Sequence, residues 1–282
     1  MNLIVDSGAT KSIWCISDGD WHREITLPGL NFMQSDPQKV GEVVYEAIRS
    51  VRAMQAQREG ATINNVYVYG AGIVLEGAAL PLHLCLERML PTVNKHYASD
   101  MLGAARAVCG REAGVAAIIG TGSNTCQWDG EAIVRHFDSG GFILGDEGGS
   151  ASLGKYFLGD YLKYLVPEDV AAAFKEQFPG DYATYISRVY REKDPARYLG
   201  SYAPFLISWY DKSEYVHNLM DHHFQAFFER TLLRYEKLPI GIVGGFGYAC
   251  RDILSAIGKR YGLEITKFYA TPLEGLISYH AV

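Results

Sequence analysis

Glycine-containing turns that follow apolar runs carry the residues most able to do chemistry in this chain. The first turn lies in the segment LIVDSGATKS, after the strand-like residues 3–5. Gly8 lets backbone amides approach an anion closely, and Thr10, Lys11 and Ser12 add hydroxyl and ammonium donors. This combination predicts a phosphate-binding turn.

Asp6 precedes that turn and gives it a second property. A carboxylate repels a bare phosphate, but it can hold a Mg²⁺ ion that bridges to one, usually through water. The turn therefore favours a metal–nucleotide over a free anion. It is not a P-loop, because Lys11 lacks the required upstream glycines. The alternative is an ordinary hairpin turn, in which Asp and Gly are common.

Two later turns resemble the first in composition. The second turn consists of Gly120, Thr121, Gly122 and Ser123. It again follows a buried strand and offers backbone amides and two hydroxyls, so the two turns together could grip a polyphosphate. Gly244 and Gly245 follow the strand at 240–243, where a base or ribose could lie against backbone.

Acidic residues form two further candidate sites. Asp100, in YASDMLGAARAV, lies at a strand-to-helix junction, where a carboxylate can serve as a general base or as a helix N-cap. Asp146 and Glu147, in GGFILGDEGGSAS, lie between glycines just before a helix. They could bind hydroxyl groups of a ligand or cap that helix.

The elements that must position these residues alternate between strand and helix. Strands are predicted near 2–6, 12–17, 21–27 and 66–70, with helices across 37–58 and 79–90, which indicates an α/β fold. A second round begins at 114 and repeats the strand, glycine turn and strand, and an Asp-Gly turn follows in both rounds, at 18–19 and 129–130. Residues 151–238 are predicted to be mostly helical, with a core-facing stripe of Met220, Phe224, Phe227 and Phe228.

Bulk properties exclude several classes of protein. The 282 residues are 48% hydrophobic and carry a net charge of −6, which suits one or two cores and gives no basic field for nucleic acid. No apolar run is long enough to span a membrane and no basic leader precedes the first strand, so we expect a soluble cytoplasmic protein. The five cysteines are scattered and His222-His223 point apart on a helix, which argues against a metal cluster.

The ordered set DSGATKS, IIGTGSN, GDEGGS and IVGGFG resembles the acetate/sugar kinase, heat-shock chaperone and actin superfamily. Within it the sequence is most similar to the BadF/BadG/BcrA/BcrD-type ATPases that include N-acetylglucosamine kinase. The resemblance implies two ribonuclease-H-like lobes with ATP in the cleft between them. We expect lobes at 1–108, completed by a C-terminal helix at 272–282, and at 109–271, with a helical insertion.

The same resemblance implies roles for individual residues. Asp100 matches the catalytic base, and Asp6 would hold Mg²⁺ through water. The first two turns match the phosphate loops and the third matches the adenosine loop. The residues implied to contact an amino sugar are Asn31, Ser123, Asn124, Gly145 and Asp146. Many relatives have glycine where this chain has Ser7 and Ala9, which alters the first loop.

The function implied is an ATP-dependent kinase that phosphorylates N-acetylglucosamine or a close relative, such as glucosamine or N-acetylmuramic acid. The alternative is an ATPase that energises a partner enzyme, as related activators do with a cysteine-held iron–sulfur cluster. This chain has no comparable close cysteine pair, although Cys109 and Cys126 could approach across a symmetric dimer, and homodimers are common among relatives. A sugar-sensing regulator would need a helix-turn-helix, whereas strand residues begin at Asn2.

Overall fold

The computed structural model describes residues 1–8, 11–30, 36–73, 77 and 79–281. They form two compact units, the first comprising Met1–Gly110 with Pro272–Val282 and the second Arg111–Thr271. The strands are β1 Asn2–Ser7, β2 Lys11–Asp18, β3 Trp21–Pro28, β4 Asn65–Gly70, β5 Asn94–Ser99, β6 Gly114–Ile119, β7 Ser123–Trp128, β8 Ile133–Phe137, β9 Ile240–Val243 and β10 Ile265–Tyr269. The helices are α1 Pro37–Gln55, α2 Leu80–Met89, α3 Asp100–Cys109, α4 Gly141–Leu144, α5 Ser150–Tyr161, α6 Glu168–Gln177, α7 Tyr182–Tyr190, α8 Pro195–Gly200, α9 Ala203–Trp209, α10 Glu214–Arg230, α11 Gly245–Ala249, α12 Arg251–Arg260 and α13 Leu273–His280.

Each unit contains a five-stranded mixed sheet with the same strand order. In unit 1 the order is β3-β2-β1-β4-β5, and in unit 2 it is β10-β9-β6-β7-β8, which is the same order read from the other edge. The first strand of each sheet pairs antiparallel with the next strand along the chain and parallel with a later one. The repeated pattern in the sequence is thus a duplicated topology, and the predicted α/β fold is confirmed.

The hairpin turns explain why this repeat is visible in the sequence. Gly19, between β2 and β3, has φ +59°, and Gly130, between β7 and β8, has φ +107°. L-residues with a Cβ rarely adopt such angles, so glycine at these two positions lets each hairpin close tightly.

The core of unit 1 is built from one face of α1 against its sheet. Asp36 caps this helix by accepting a hydrogen bond from the Gln38 amide at 3.0 Å, and Pro37 occupies the first turn. The apolar face of α1 includes Val40, Val44 and Val51, which are buried with β1 and β2 residues. On the other side of the sheet, Leu276 of α13 packs in a second cluster.

The core of unit 2 is rich in aromatic side chains. The predicted stripe of Met220, Phe224, Phe227 and Phe228 on α10 is completely buried, so its interpretation as core is confirmed. These side chains pack with residues of β6 and of the helices α5 to α9. Among the described residues, no helix is both long enough and apolar enough to cross a bilayer.

Candidate active site

The acids at the edge of the unit 1 sheet are brought together by parallel strands. Asp6 lies near the end of β1, and Asp100 follows β5 directly. β4 pairs in parallel with both strands, and its Gly70 lies in register with Ser7 on one side and Ser99 on the other. The carboxyl ends of parallel strands form the edge at which α/β proteins bind ligands.

Both carboxylates have a raised pKa, and the charge of Asp100 contributes to the shift of Asp6. Burial and, to a smaller extent, the charge of Asp100 raise the pKa of Asp6 from 3.8 to about 7, against the opposing effect of the Lys11 ammonium. Burial also raises the pKa of Asp100, against the hydrogen bond that it accepts from the Met101 amide at 2.9 Å. Two partly buried acids in this relation favour a bound proton or cation.

The donor chemistry of this pair suits Mg²⁺, which prefers carboxylate oxygens and keeps several waters. No group of three His, Cys, Asp or Glu side chains in the described ranges could hold a metal alone. An ion held by Asp6 would therefore take most of its remaining ligands from water and substrate phosphates.

The N-cap of α3 is Ser99, not Asp100. The Ser99 hydroxyl accepts a hydrogen bond from the Leu102 amide at 3.2 Å. The capping role considered for Asp100 thus belongs to its neighbour, and the Asp100 carboxylate is not needed as the cap at the start of α3.

Several donors of the first glycine turn are already used in hydrogen bonds within the protein. The Gly8 amide donates to the Lys11 carbonyl at 3.0 Å. The buried Ser12 hydroxyl donates to the Pro28 carbonyl at 2.9 Å and accepts from the Trp14 indole at 3.0 Å. Thr10 lies outside the described residues. Among the described residues of this turn, the exposed Lys11 has a side-chain donor that is open to a ligand.

The second glycine turn is joined to the start of α5. The amides of Ser150 and Ala151 donate to the carbonyls of Gly120 and Thr121, each at 2.9 Å. A Cβ at Gly120 would meet no atom within 4 Å, whereas a Cβ at Gly122 would lie 2.6 Å from the Asp146 carboxylate. The turn is therefore open at Gly120 and closed against Asp146 at Gly122.

Asp146 is held between two segments of unit 2. Its amide donates to the Ser139 carbonyl at 2.9 Å, and its carboxylate accepts from the Ser123 amide at 3.3 Å. Its φ of +52° is unusual for a residue with a Cβ. Burial raises the pKa of the Asp146 carboxyl group, although hydrogen bonds from the Ser123 amide and the Ser139 side chain oppose the change. The N-cap of α5 is Gly149, so Asp146 does not cap that helix.

The third turn lies beside the second at the edge of the unit 2 sheet, because β6 and β9 are parallel neighbours. Gly244 has φ +124°, and a Cβ there would collide with the Ile119 carbonyl oxygen. Gly245 begins α11, and a Cβ there would meet open space. The close approach at Gly244 requires glycine, and Gly245 leaves room for a ligand.

A pocket of about 360 Å³ in unit 2 brings several predicted residues together. Ser123, Asn124 and Gly145 line it. The Ser123 hydroxyl donates to the Glu147 carbonyl at 2.7 Å, and the Asn124 carboxamide oxygen is 2.9 Å from His136 Nε2. Asn31 lies outside the described residues. The other lining residues are Thr125, Phe137, Asp138, Ser139, Gly140, Leu144, Glu147, Phe227, Arg230, Thr231 and Arg234.

One face of α10 holds the loop that carries Asp146 and Glu147. His223 Nε2 is 3.0 Å from the Gly149 carbonyl oxygen, and the Phe227 ring lies where a Cβ of Gly148 would be. Arg230, at the end of the helix, pairs with Glu147 at 2.6 Å. These contacts join residues far apart in the chain, so no local sequence pattern indicated Arg230 as part of the site.

Solved structures similar to this one share its fold over nearly the whole chain. A Porphyromonas gingivalis protein, provisionally named N-acetylglucosamine kinase, is 37% identical with a TM-score of 0.91, covering 100% of this chain and 99% of its own. A Chromobacterium violaceum protein with the same provisional name is 17% identical with a TM-score of 0.71, covering 99% and 98% of the two chains. The ethanolamine utilization protein EutJ from Carboxydothermus hydrogenoformans is 15% identical with a TM-score of 0.54, covering 99% and 88%. No protein-family model and no curated protein matches the sequence.

Proposed function

This chain belongs to the family of the Porphyromonas gingivalis protein, whose two-lobed actin-like ATPase fold it shares, and from that premise we propose that it is an ATP-dependent amino-sugar kinase. The proposed substrate is N-acetylglucosamine or a close relative such as glucosamine or N-acetylmuramic acid. We assign the family to the BadF/BadG-type ATPases on the sequence motifs alone.

Asp100 is the proposed catalytic base. A kinase needs a carboxylate that orients the acceptor hydroxyl and takes its proton as the phosphoryl group arrives. The raised pKa of Asp100 makes its carboxylate a stronger base, and Ser99 fixes the start of the helix that carries it. Asp6 would hold Mg²⁺ through water, and the ion would neutralise phosphate charge.

The three glycine turns are proposed to bind ATP. In the first turn, Lys11 would contact a phosphate with its exposed ammonium, and Thr10 is proposed to add a hydroxyl donor. Gly8 and Ser12 would shape the turn, since the Gly8 amide and the Ser12 hydroxyl already donate to carbonyls of Lys11 and Pro28. In unit 2, residues 120–122 would bind phosphate oxygens, and Gly244 and Gly245 would lie against the adenosine. Support comes from the open space at Gly120 and Gly245, where any side chain would intrude on the ligand.

The amino sugar is proposed to contact Asn31, Ser123, Asn124, Gly145 and Asp146. The pocket lined by Ser123, Asn124 and Gly145 supports this assignment, since its volume of about 360 Å³ suits a monosaccharide. Asp146 does not line this pocket in the structure, but its carboxylate accepts a hydrogen bond from the amide of Ser123, which does.

The observation that carries the proposal is the Asp6–Asp100 pair at the carboxyl edge of the unit 1 sheet, in a chain 37% identical to the Porphyromonas protein. The test is ADP release by the purified protein with N-acetylglucosamine, glucosamine, N-acetylmuramic acid and glucose. We expect one amino sugar to stimulate ATP turnover strongly. Slow turnover that no sugar changes would overturn the proposal in favour of a partner-energising ATPase.

A further inference from the structure

Two arginine side chains converge on the Phe137 ring at the wall of the unit 2 pocket. The Arg234 guanidinium carbon lies 3.9 Å from the ring centroid and that of Arg135 lies 5.0 Å from it. Arg234 also lines the pocket, and its Nη1 donates to the Arg230 carbonyl at 3.2 Å. The aromatic contact and this hydrogen bond hold the Arg234 guanidinium in place before any ligand arrives.

The acids that line the pocket do not neutralise Arg234. Glu147 is paired with Arg230 at 2.6 Å. The Asp138 carboxylate is fully exposed, and it lies 3.8 Å from His136 Nδ1, a contact that is an ion pair only when the imidazole is protonated. Within the described ranges, neither Arg234 nor Arg135 forms an ion pair. Two cations gathered around one ring repel each other, and a bound anion would relieve that repulsion.

We propose that Arg234 is a specificity-determining residue that binds a carboxylate group carried by the amino-sugar substrate. This inference rests on the proposed function and specifies its substrate class. A stacked guanidinium keeps its in-plane N–H donors, which match the two oxygens of a carboxylate. Phe137 and Leu144 line the same pocket and would contact the carbon atoms of the substituent.

Arg230 provides a matched control on the same wall. It lines the pocket as Arg234 does, but its guanidinium is already paired with Glu147. Loss of Arg230 should disturb the loop that carries Glu147 and lower kcat/KM for all the sugars by a similar factor. Loss of Arg234 should lower kcat/KM selectively for the sugars that carry a carboxylate.

The experiment compares N-acetylmuramic acid with its methyl ester, which has nearly the same size and no charge. We expect kcat/KM for the acid to exceed that for the ester by about tenfold or more in the wild-type protein, the usual advantage of a charge-assisted hydrogen bond. In Arg234→Gln the ratio of kcat/KM for the acid to kcat/KM for the ester should fall to about one. In Arg230→Gln the ratio of kcat/KM for the acid to that for the ester should stay as in the wild type. The kcat/KM values for the acid, the ester and N-acetylglucosamine should all fall.

A wild-type ratio near one, or a ratio that Arg234→Gln leaves unchanged, would overturn the inference. If no sugar stimulates ATP turnover, the proposed function fails, and calorimetric binding of the acid and the ester decides about the pocket separately. Tighter binding of the acid that is lost in Arg234→Gln would support the role of Arg234. Equal binding of acid and ester, or no binding of either, would refute it.

Discussion

Asp100 and Ser99 are neighbours with separate tasks at the start of α3. The sequence analysis predicted Asp100 to lie at a strand-to-helix junction, and Ser99, directly before it, is also of a residue type that caps helices. The order of the two residues does not decide between them, because the choice depends on where β5 ends. Since Ser99 accepts the capping hydrogen bond, the Asp100 carboxylate is left for a ligand.

This separation predicts different effects for two adjacent substitutions. Asp100→Asn should lower kcat about 100-fold or more, the usual contribution of a general base, while the protein stays folded. Ser99→Ala should cost about 1 kcal/mol of stability through the lost cap, with kcat little changed. Steady-state ADP release and urea unfolding distinguish the two effects. An Asp100→Asn variant that keeps more than a few per cent of wild-type kcat would exclude Asp100 as the base.

His223 is a buried histidine that sequence reasoning did not place in the site. Its Nε2 contacts the Gly149 carbonyl at 3.0 Å, and no partner of its buried Nδ1 lies among the described residues. Burial lowers its pKa from 6.5 to about 4. The folded protein therefore holds the neutral ring where the unfolded chain would take up a proton.

The stability that depends on neutral His223 is complete above pH 6.5 and is lost as the pH falls towards 4. The pKa difference corresponds to about 3 kcal/mol at the acid end of this range. We expect His223→Gln, which keeps a donor for Gly149, to have a flatter dependence of unfolding free energy on pH between 7 and 4.5. Urea unfolding across this range measures it. Parallel curves for the two proteins would contradict the assignment.

At the scale of the elements, the glycine turns were predictable from sequence, but their packing partners were not. The sequence identified all three turns, because glycine after an apolar strand is a local signal. It could not show that the turn at 120–122 packs on the 146–149 loop, or that the end of α10 closes the pocket. Those contacts join distant segments, and they depend on the order of the strands and on packing.

Substitutions at Gly120 and Gly122 should therefore affect different substrates, although the two residues lie in one turn. Gly120→Ala places a methyl group in open space, so the fold should tolerate it while KM for ATP rises about tenfold through overpacking of the bound nucleotide. Gly122→Ala forces the Asp146 carboxylate aside and should raise KM for the sugar. Steady-state kinetics with each substrate varied separately checks both. An unchanged KM for ATP in Gly120→Ala would remove this turn from the ATP site.

At the scale of the molecule, unit 1 is closed by a segment from the far end of the sequence. Gly275 of α13 fits so closely against Ala107 of α3 that a Cβ would collide with the backbone. Leu276 is fully buried beside Ile4 of β1. Helix α13 spans Leu273–His280, and residues 272–282 form one compact unit with Met1–Gly110.

Leu276→Ala should destabilise unit 1 by about 2–5 kcal/mol, the usual effect of a large cavity in a core. Hydrogen exchange should become faster in the peptides of β1 and α3, while the peptides of β6 and β9 keep their protection. Leu84→Ala in α2 is the control, because Leu84 is 60% exposed and its loss leaves no cavity. Equal effects of the two substitutions would show that α13 does not complete the core of unit 1.

The dependence of unit 1 on α13 also bears on how the chain is made. Ribosomes release polypeptide from its N-terminus, so the strands of unit 1 emerge first and wait for residues 272–281 before their core is complete. Unit 2 is continuous and can finish folding earlier. During synthesis, the apolar face of β1 that α13 will cover is accessible to chaperones, and a chain interrupted before residue 272 would keep it exposed.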